Sequence, residues 1–247
     1  MQTDSLYTGM AGLQAITARM QAVSSNLANA QTPGYSAVQA LSETDYYTGS
    51  NAPAGGDTAV DTPGPDLTLG ALNQTADPMD VALGGDAWLE VQTQNGTALT
   101  RNGQLSVSAD GILTDSNGNP ILGVGGQPIS LPQLANMTIS QDGTISGVPM
   151  SSPGGPPQKY GQISLVSTPS GRMTPISGSL YLPPVGQNLA ESQNGSLHQG
   201  YLNDSNVNST TAMVTLIDDS RSYQLQTELM KSQSTASRDL NSILSQA

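Results

Sequence analysis

The segment NVNSTTAMVTLIDDSRSYQLQTELMKSQSTASRDLNSILSQA, residues 206–247, sets the architecture of the chain. Taken at alternating spacings of three and four, it yields Met213, Leu216, Ser220, Tyr223, Thr227, Met230, Ser234, Ser237, Asn241 and Leu244. Such spacing places one stripe along one side of a helix, in the manner of heptad a and d positions. Beside it runs a second stripe of Val214, Ile217, Leu225, Leu229, Ala236, Leu240 and Ile243. The combined face is broader than a two-stranded seam needs, and Ser, Thr and Asn dilute it. A face of that kind suits a helix packed among several neighbours rather than one standing alone in water.

The other end of the chain repeats the pattern. Leu6, Met10, Leu13, Thr17, Met20, Ser24 and Leu27 follow the same spacing, Ile16 and Val23 widen the stripe, and no proline interrupts residues 2–30. Two terminal helices of matching period suggest that the termini pair with each other. The same pattern is compatible with two helices that cap one globular core, and periodicity alone leaves both open.

Between the helices the texture changes. Pro33 cannot continue a helix, and it pushes Thr32 to extended geometry. From Tyr35 to about Thr75 the segments Asn51–Gly56 and Thr62–Pro65 are turn material, which reads as an elongated arm. From about Pro78 to Leu182 the apolar period becomes two: Val81 with Leu83, Leu89 with Val91 (Trp88 on the opposite face), Leu105 with Val107, Ile163 with Leu165. Asn95-Gly96, Asn102-Gly103, Asp110-Gly111, Asn117-Gly118 and Asp142-Gly143 separate these runs and supply hairpin turns. Ser151–Pro157 is a surface loop, and Asn208 or Ser209 is a candidate N-cap for the last helix. The expected fold is α+β. Paired, coiled-coil-like terminal helices (1–30 with 206–247) flank an extended connecting region (31–76 with 184–205) and an inserted antiparallel β domain (77–183).

Composition narrows the function. A net charge of −12 with seven Lys plus Arg offers no footprint for nucleic-acid phosphates and no polybasic face for an anionic membrane. Cysteine is absent, which removes disulfides, thiolate nucleophiles and thiolate metal sites. No Lys or Arg precedes Arg19 and no apolar run reaches the length of a signal-peptide core or a membrane span, so neither is expected.

Candidate chemistry is sparse. His198 is the only histidine and stands in Ser196-Leu197-His198-Gln199-Gly200 without a Ser-His-Asp arrangement, which reads as a surface residue. Asp115-Ser116-Asn117-Gly118-Asn119 lacks the spacing of a calcium loop and reads as a hairpin turn. The carboxylate pairs Asp77 with Asp80 and Asp218 with Asp219 read as solvated. No catalytic, cofactor or metal site is expected, and no enzyme.

Two motifs are more specific. Ser25-Asn26-Leu27-Ala28-Asn29-Ala30-Gln31-Thr32-Pro33-Gly34-Tyr35 resembles the N-L-A-N-x-x-T-P-G-[FY] signature of the bacterial flagellar axial proteins, which comprise rod, hook and hook-associated subunits. Gly200–Asn208 resembles the G-x-L-E-x-S-N-V-N segment of the same family, with Asn203 where the family usually has Glu. Thr62–Gly70, Pro78–Leu83, Asp86–Leu89, Thr100–Gly103 and Ile139–Ser146 are similar to proximal-rod subunits, and the arm is shorter than in distal-rod subunits.

The resemblance implies a structural, non-catalytic subunit of the flagellar basal-body rod that transmits torque from motor to hook. It implies export through the flagellar type III apparatus without a cleaved signal, into a rod in the periplasmic space. The implied partners are copies of the chain, other proximal and distal rod proteins, and the export apparatus, without nucleic acid or membrane insertion. The expected assembly interface is Leu6, Met10, Leu13, Ile16, Met20, Val23, Leu27, Met213, Leu216, Ile217, Tyr223, Met230, Leu240 and Leu244. Asn26, Asn29, Pro33, Gly34, Ser205 and Asn206 are expected to shape the junctions. A distal-rod subunit, or a secreted β-domain binding module oligomerised by its helices, is the alternative.

Overall fold

A computed structural model describes residues 2–39, 42–46, 56–60, 64–167, 173–184 and 189–244; for 2–8, 42–46, 56–60, 237 and 239–244 it describes the backbone alone. The class is α+β: helix α1 spans Gln2–Ala28, helix α2 spans Ser209–Leu244, and antiparallel strands lie between them in sequence. The chain divides into two compact units. One holds Met1–Ala28, Val38–Pro63 and Asn208–Ala247; the other holds Asn29–Ala37 and Gly64–Val207.

In the helical unit α1 and α2 pack antiparallel, since Gly9 lies opposite Gln226 and Met230 while Arg19 lies opposite Asp219. Small residues allow the close approach. A Cβ at Gly9 would stand 3.4 Å from Met230 Cγ, and Gln226 Nε2 donates to the Gly9 carbonyl at 3.4 Å. Arg19 Nε donates to Asp219 Oδ2 at 3.0 Å, and its second nitrogen pairs with Oδ1. Asp219 is 2% exposed against 57% for Arg19, so this carboxylate is not the solvated one expected from its Asp218-Asp219 pairing. The unit also contains a short hairpin, Ser42–Tyr46 against Gly56–Val60, where the sequence reads as an elongated arm. The start of α2 is capped as expected: Asn208 Oδ1 accepts from Thr211 N at 3.0 Å, and the Asn208 carbonyl accepts the first helical bond from Ala212 N at 2.9 Å.

The strand unit is built on a six-stranded antiparallel sheet in the order Thr174–Ser177, Leu180–Leu182, Gly96–Thr100, Ala87–Thr93, Leu165–Ser167, Ala190–Glu191. A three-stranded sheet (Leu134–Ile139, Thr144–Pro149, Gln158–Gln162) and several two-stranded pairs complete it. Alternation along Ala87–Thr93 sorts the core. Leu89 and Val91 join Val81, Leu83, Leu113, Ile121, Ile145, Ile163 and Leu197 in the main cluster, while Trp88 joins Leu99, Val166, Met173 and Tyr181 on the opposite face.

Gly96, Gly111, Gly118 and Gly143 adopt the positive φ their turns require. Gly103 does not turn the chain: a Cβ there would stand 1.7 Å from the Val81 carbonyl, so this glycine permits two backbones to touch. Asp115 organises its turn by accepting from Asn117 N and Asn119 N, both at 2.8 Å. Ser151–Pro157 is an exposed loop apart from Gly155, which is half-buried.

Beyond the expected end of the β region, Ser196–Gln199 pairs with Val81–Gly84 and Tyr201–Asn203 pairs with Leu72–Gln74. These return strands are hard to read because each contributes a single apolar side chain to the interior, Leu197 or Leu202. His198 is exposed on the first of them, with Ser196 Oγ 3.5 Å from its Nε2.

Candidate functional site

The two terminal motifs are built from a small set of backbone clamps. In the helical unit, Asn26 near the end of α1 grips one residue twice: its Oδ1 accepts from Val38 N at 2.8 Å and its Nδ2 donates to the Val38 carbonyl at 2.9 Å. A side-chain amide matches a peptide group in this way, and neither Asp nor Leu would.

In the strand unit the chain leaves the helix through a turn closed by Thr32 N to the Asn29 carbonyl at 3.0 Å and by Thr32 Oγ1 to Asn29 Oδ1 at 3.3 Å. Pro33 and Gly34 follow. Gly34 has φ +66°, donates its N–H to the Asn203 carbonyl at 2.7 Å, and leaves no room for a Cβ, which would stand 2.1 Å from the Arg101 carbonyl oxygen. Both the conformation and the space therefore demand glycine.

The C-terminal motif answers it. Asn206 Oδ1 accepts from Ala37 N at 2.6 Å, while its Nδ2 donates to the carbonyls of Asp66 at 3.2 Å and Thr68 at 2.9 Å. Its own N–H donates to the Tyr35 carbonyl at 3.3 Å. One residue, through its side chain and its own N–H, thus joins residues 35–37 with 66–68. Ser205 Oγ accepts from Val207 N at 3.2 Å and bends the chain toward α2. Asn203, in the family's Glu position, is buried; its Oδ1 accepts from Leu83 N at 2.7 Å and its Nδ2 has no partner. Its carbonyl-type oxygen serves a backbone donor, so no ion pair forms at that position.

Behind Tyr35 and Ser36, both buried, stands a polar-aromatic stack that motif reading does not single out. Tyr181 Oη donates to the Ser36 carbonyl at 2.7 Å and accepts from Ser36 N at 3.2 Å. Burial pushes this phenol well above the ordinary tyrosine range, with the Tyr35 side chain adding to the shift. Tyr181 meets Trp88 edge to face, with ring centroids 5.5 Å apart. Arg101 lies over Trp88 at 4.4 Å and donates to the Leu67 carbonyl at 2.7 Å. Burial lowers the guanidinium's pKa, and the Asp86 carboxylate, with the Tyr181 phenol, works against that. The segments Thr62–Gly70, Asp86–Leu89 and Thr100–Gly103 thus contribute Leu67, Trp88 and Arg101 to one junction. These segments carry part of the resemblance, but nothing local in them says that they meet.

The second candidate feature is the helix surface. Leu13, Ile16, Met20, Val23, Leu27, Leu216 and Met230 are half-buried. Met10, Met213, Val214, Ile217 and Tyr223 are exposed, as are Leu225 at 63% and Leu229 at 64%. The side chains of Leu6, Leu240 and Leu244 lie outside the described residues. Thr17, Met20, Gln21, Ser24, Leu216 and Tyr223 line a depression of about 340 Å³ along the helix pair. Among the described residues no three carboxylate or imidazole groups gather as metal ligands, and no helix is long and apolar enough to cross a membrane.

Three family models match the chain: "Flagella basal body rod protein" over residues 6–35, "Flagellar hook protein FlgE/F/G D1 domain" over 82–147, and "Flagellar basal body rod FlgEFG protein C-terminal" over 198–243. The chain is 33% identical to the flagellar basal-body rod protein FlgF of Escherichia coli, with 98% of each chain covered. It is 34% identical to FlgF of Salmonella typhimurium, again with 98% of each covered. Its identity to the flagellar basal-body rod protein FlgG of Bacillus subtilis is 26%, over 92% of this chain and 93% of that one.

Proposed function

The chain belongs to the flagellar basal-body rod proteins as a FlgF-type structural subunit, not an enzyme, and on that footing we propose that it enters the rod by burying the apolar faces of α1 and α2 against copies of itself and other rod subunits. The observation that carries this reading is the row Met213, Val214, Ile217, Leu225 and Leu229, all exposed on a single 36-residue helix. A helix of that length is about 54 Å long at 1.5 Å per residue. Exposed apolar residues gathered along one helix in this number mark an interaction surface rather than ordinary surface scatter.

The helix pair acts as a coiled-coil-like seam at the rod's centre, with the strands inserted between the two ends of the sequence. Repeated contacts between unlike faces, whose rotation does not close, generate a helical rod. Rigid junctions such as those at Gly34 and Asn206 then carry torque from motor to hook. The chain reaches the periplasmic space through the flagellar export apparatus, without a cleaved signal. A proximal position is favoured over a distal one by the 33% and 34% identity to FlgF of Escherichia coli and Salmonella typhimurium, against 26% to FlgG of Bacillus subtilis.

Met213→Asp tests the surface, because the residue is exposed in the single chain, so the new charge stays in water until a neighbour covers it. Buried among neighbouring helices, the new charge would lack a partner. The variant is expected to be exported at normal levels yet to abolish swimming and complete basal bodies. Leu13→Asp on α1 is expected to do the same. Normal motility with Met213→Asp would remove this surface from the interface.

A further inference from the structure

Four Asn-Gly steps occur in the chain, at 95–96, 102–103, 117–118 and 194–195. The backbone nitrogen that follows an asparagine can attack that residue's own side-chain amide carbon, and glycine, without a Cβ, hinders the approach least. Both reacting groups sit on adjacent residues, so the rate depends on whether they are free to meet in the right geometry.

The fold treats the four steps differently. Asn102 is buried, its Nδ2 donates to Ser116 Oγ at 3.0 Å, and its Oδ1 accepts from Gln104 N at 3.0 Å. Asn117 is exposed, but Gly118 N donates to the Asp115 carbonyl at 3.1 Å and Asn117 N donates to Asp115 Oδ1 at 2.8 Å. Asn95 is exposed too, in a hairpin where Gly96 stands in register with Thr93 and the Gly96 carbonyl accepts from Thr93 Oγ1 at 2.7 Å. Asn194 lies in the short connection between Ala190–Glu191 and Ser196–Gln199. Its side chain is exposed and makes no hydrogen bond among the described residues, and neither does the Gly195 N–H.

We propose that Asn194 is a modification site, where the folded protein deamidates spontaneously and forms isoaspartate. The Gly195 nitrogen bonds to Asn194 Cγ and gives up its proton, and the side-chain nitrogen leaves as ammonia. The product is a five-membered cyclic imide. Water then opens it at either carbonyl, giving aspartate or isoaspartate. Both products are acids, and in isoaspartate the main chain runs through the former side chain and is longer by a methylene. The place of the residue gives that lengthening a consequence. The Asn194 carbonyl lies against Gly85, where a Cβ would stand 2.5 Å from it, and Gly195 packs on Ala87 and Ser192. Just beyond, Ser196 pairs with Gly84, and the buried Leu197 pairs with Leu83 and donates its N–H to the Gln141 carbonyl at 3.0 Å. A longer main chain at 194 misfits this packing and loosens the return strand. The site stands independently of the helix surfaces, so assembly can fail or succeed without deciding it.

Full-length protein is held folded in mildly alkaline buffer, well below its melting temperature, and sampled over time. Each sample is digested and mapped by mass spectrometry with fragmentation that separates aspartate from isoaspartate, and a sample unfolded in urea is followed beside it. In the folded protein, conversion at Asn194 is expected to be at least about tenfold faster than at Asn95, Asn102 or Asn117. In urea the four are expected to react at comparable rates. A folded sample in which another Asn-Gly step matches or outruns Asn194 would overturn the site. Asn194→Gln disfavours the five-membered ring and is expected to remove the conversion while melting like the fresh parent. The aged parent is expected to melt several degrees lower, and aged Asn194→Gln to stay unchanged. Fresh Asn194→Asp carries the charge without the longer main chain and is expected to melt like the fresh parent. An aged parent rich in isoaspartate that melts like the fresh one, or a fresh Asn194→Asp that melts as low as the aged parent, would overturn the loosening of the strand by main-chain lengthening.

Discussion

Gly34 and Tyr181 show how much of the junction rests on single atoms. At Gly34 a methyl group would meet the Arg101 carbonyl, in a conformation that disfavours any side chain. Gly34→Ala should cost about 1–3 kcal/mol from the backbone alone, with overpacking adding to it. Thermal denaturation should show a melting temperature lower by several degrees, or no folded strand unit at all. Tyr181 holds Ser36 by both its N–H and its carbonyl, and its phenol is raised above the ordinary range. In the unfolded chain that phenol ionises near pH 10, whereas the native one keeps its proton. Its contribution to stability is therefore complete below about pH 10 and is lost as pH climbs through and beyond that value. Tyr181→Phe should lower stability by about 1–3 kcal/mol at neutral pH and flatten the fall in melting temperature on the alkaline side. The glycine and the asparagines of this junction were legible, because the motifs are long and each needs a particular residue type. Tyr181 and Arg101 were not singled out, since nothing local in sequence says that a tyrosine will reach back to Ser36.

The helices and strands were legible to different degrees, for a physical reason. α1 and α2 declare themselves through their three-and-four spacing. The strands of residues 81–107 do so through strict alternation, whereas 196–203 bury Leu197 and Leu202 among polar neighbours and leave no period to count. The Arg19–Asp219 pair was invisible for a third reason: an acidic doublet on a helix looks solvated until its partner, distant in sequence, is known. Its two halves are unequal, since the carboxylate is buried and the guanidinium is more than half exposed. Arg19→Ala should therefore destabilise the helical unit by about 1–3 kcal/mol, by stranding a buried acceptor. Asp219→Ala should cost less, because Arg19 can turn to water. Chemical denaturation followed at the helix band of the circular-dichroism spectrum will order the two; equal losses would contradict the asymmetry.

At the level of the whole chain, residues 29–37 belong with the strands and residues 1–28 with α2. Removing residues 1–28 should leave the strand signal in circular dichroism intact while removing most of the cooperative helix signal; collapse of the strand signal would place the boundary elsewhere. The broad class, α+β with helical ends, follows from periodicity alone. The division of the connecting segments between the two units does not, because it is settled by which backbone groups Asn26 and Asn206 happen to hold.

The contact of Gly9 with Gln226 spans 217 positions. Almost the entire polypeptide must therefore exist before the first helix meets its mate, and closing so long a loop is slow compared with forming neighbouring hairpins. A half-made molecule lacks the second helix and so has no finished seam. On the role proposed for the helix pair, joining neighbours would wait for the completed molecule, and truncated products would drop out of the queue without a separate proofreading step.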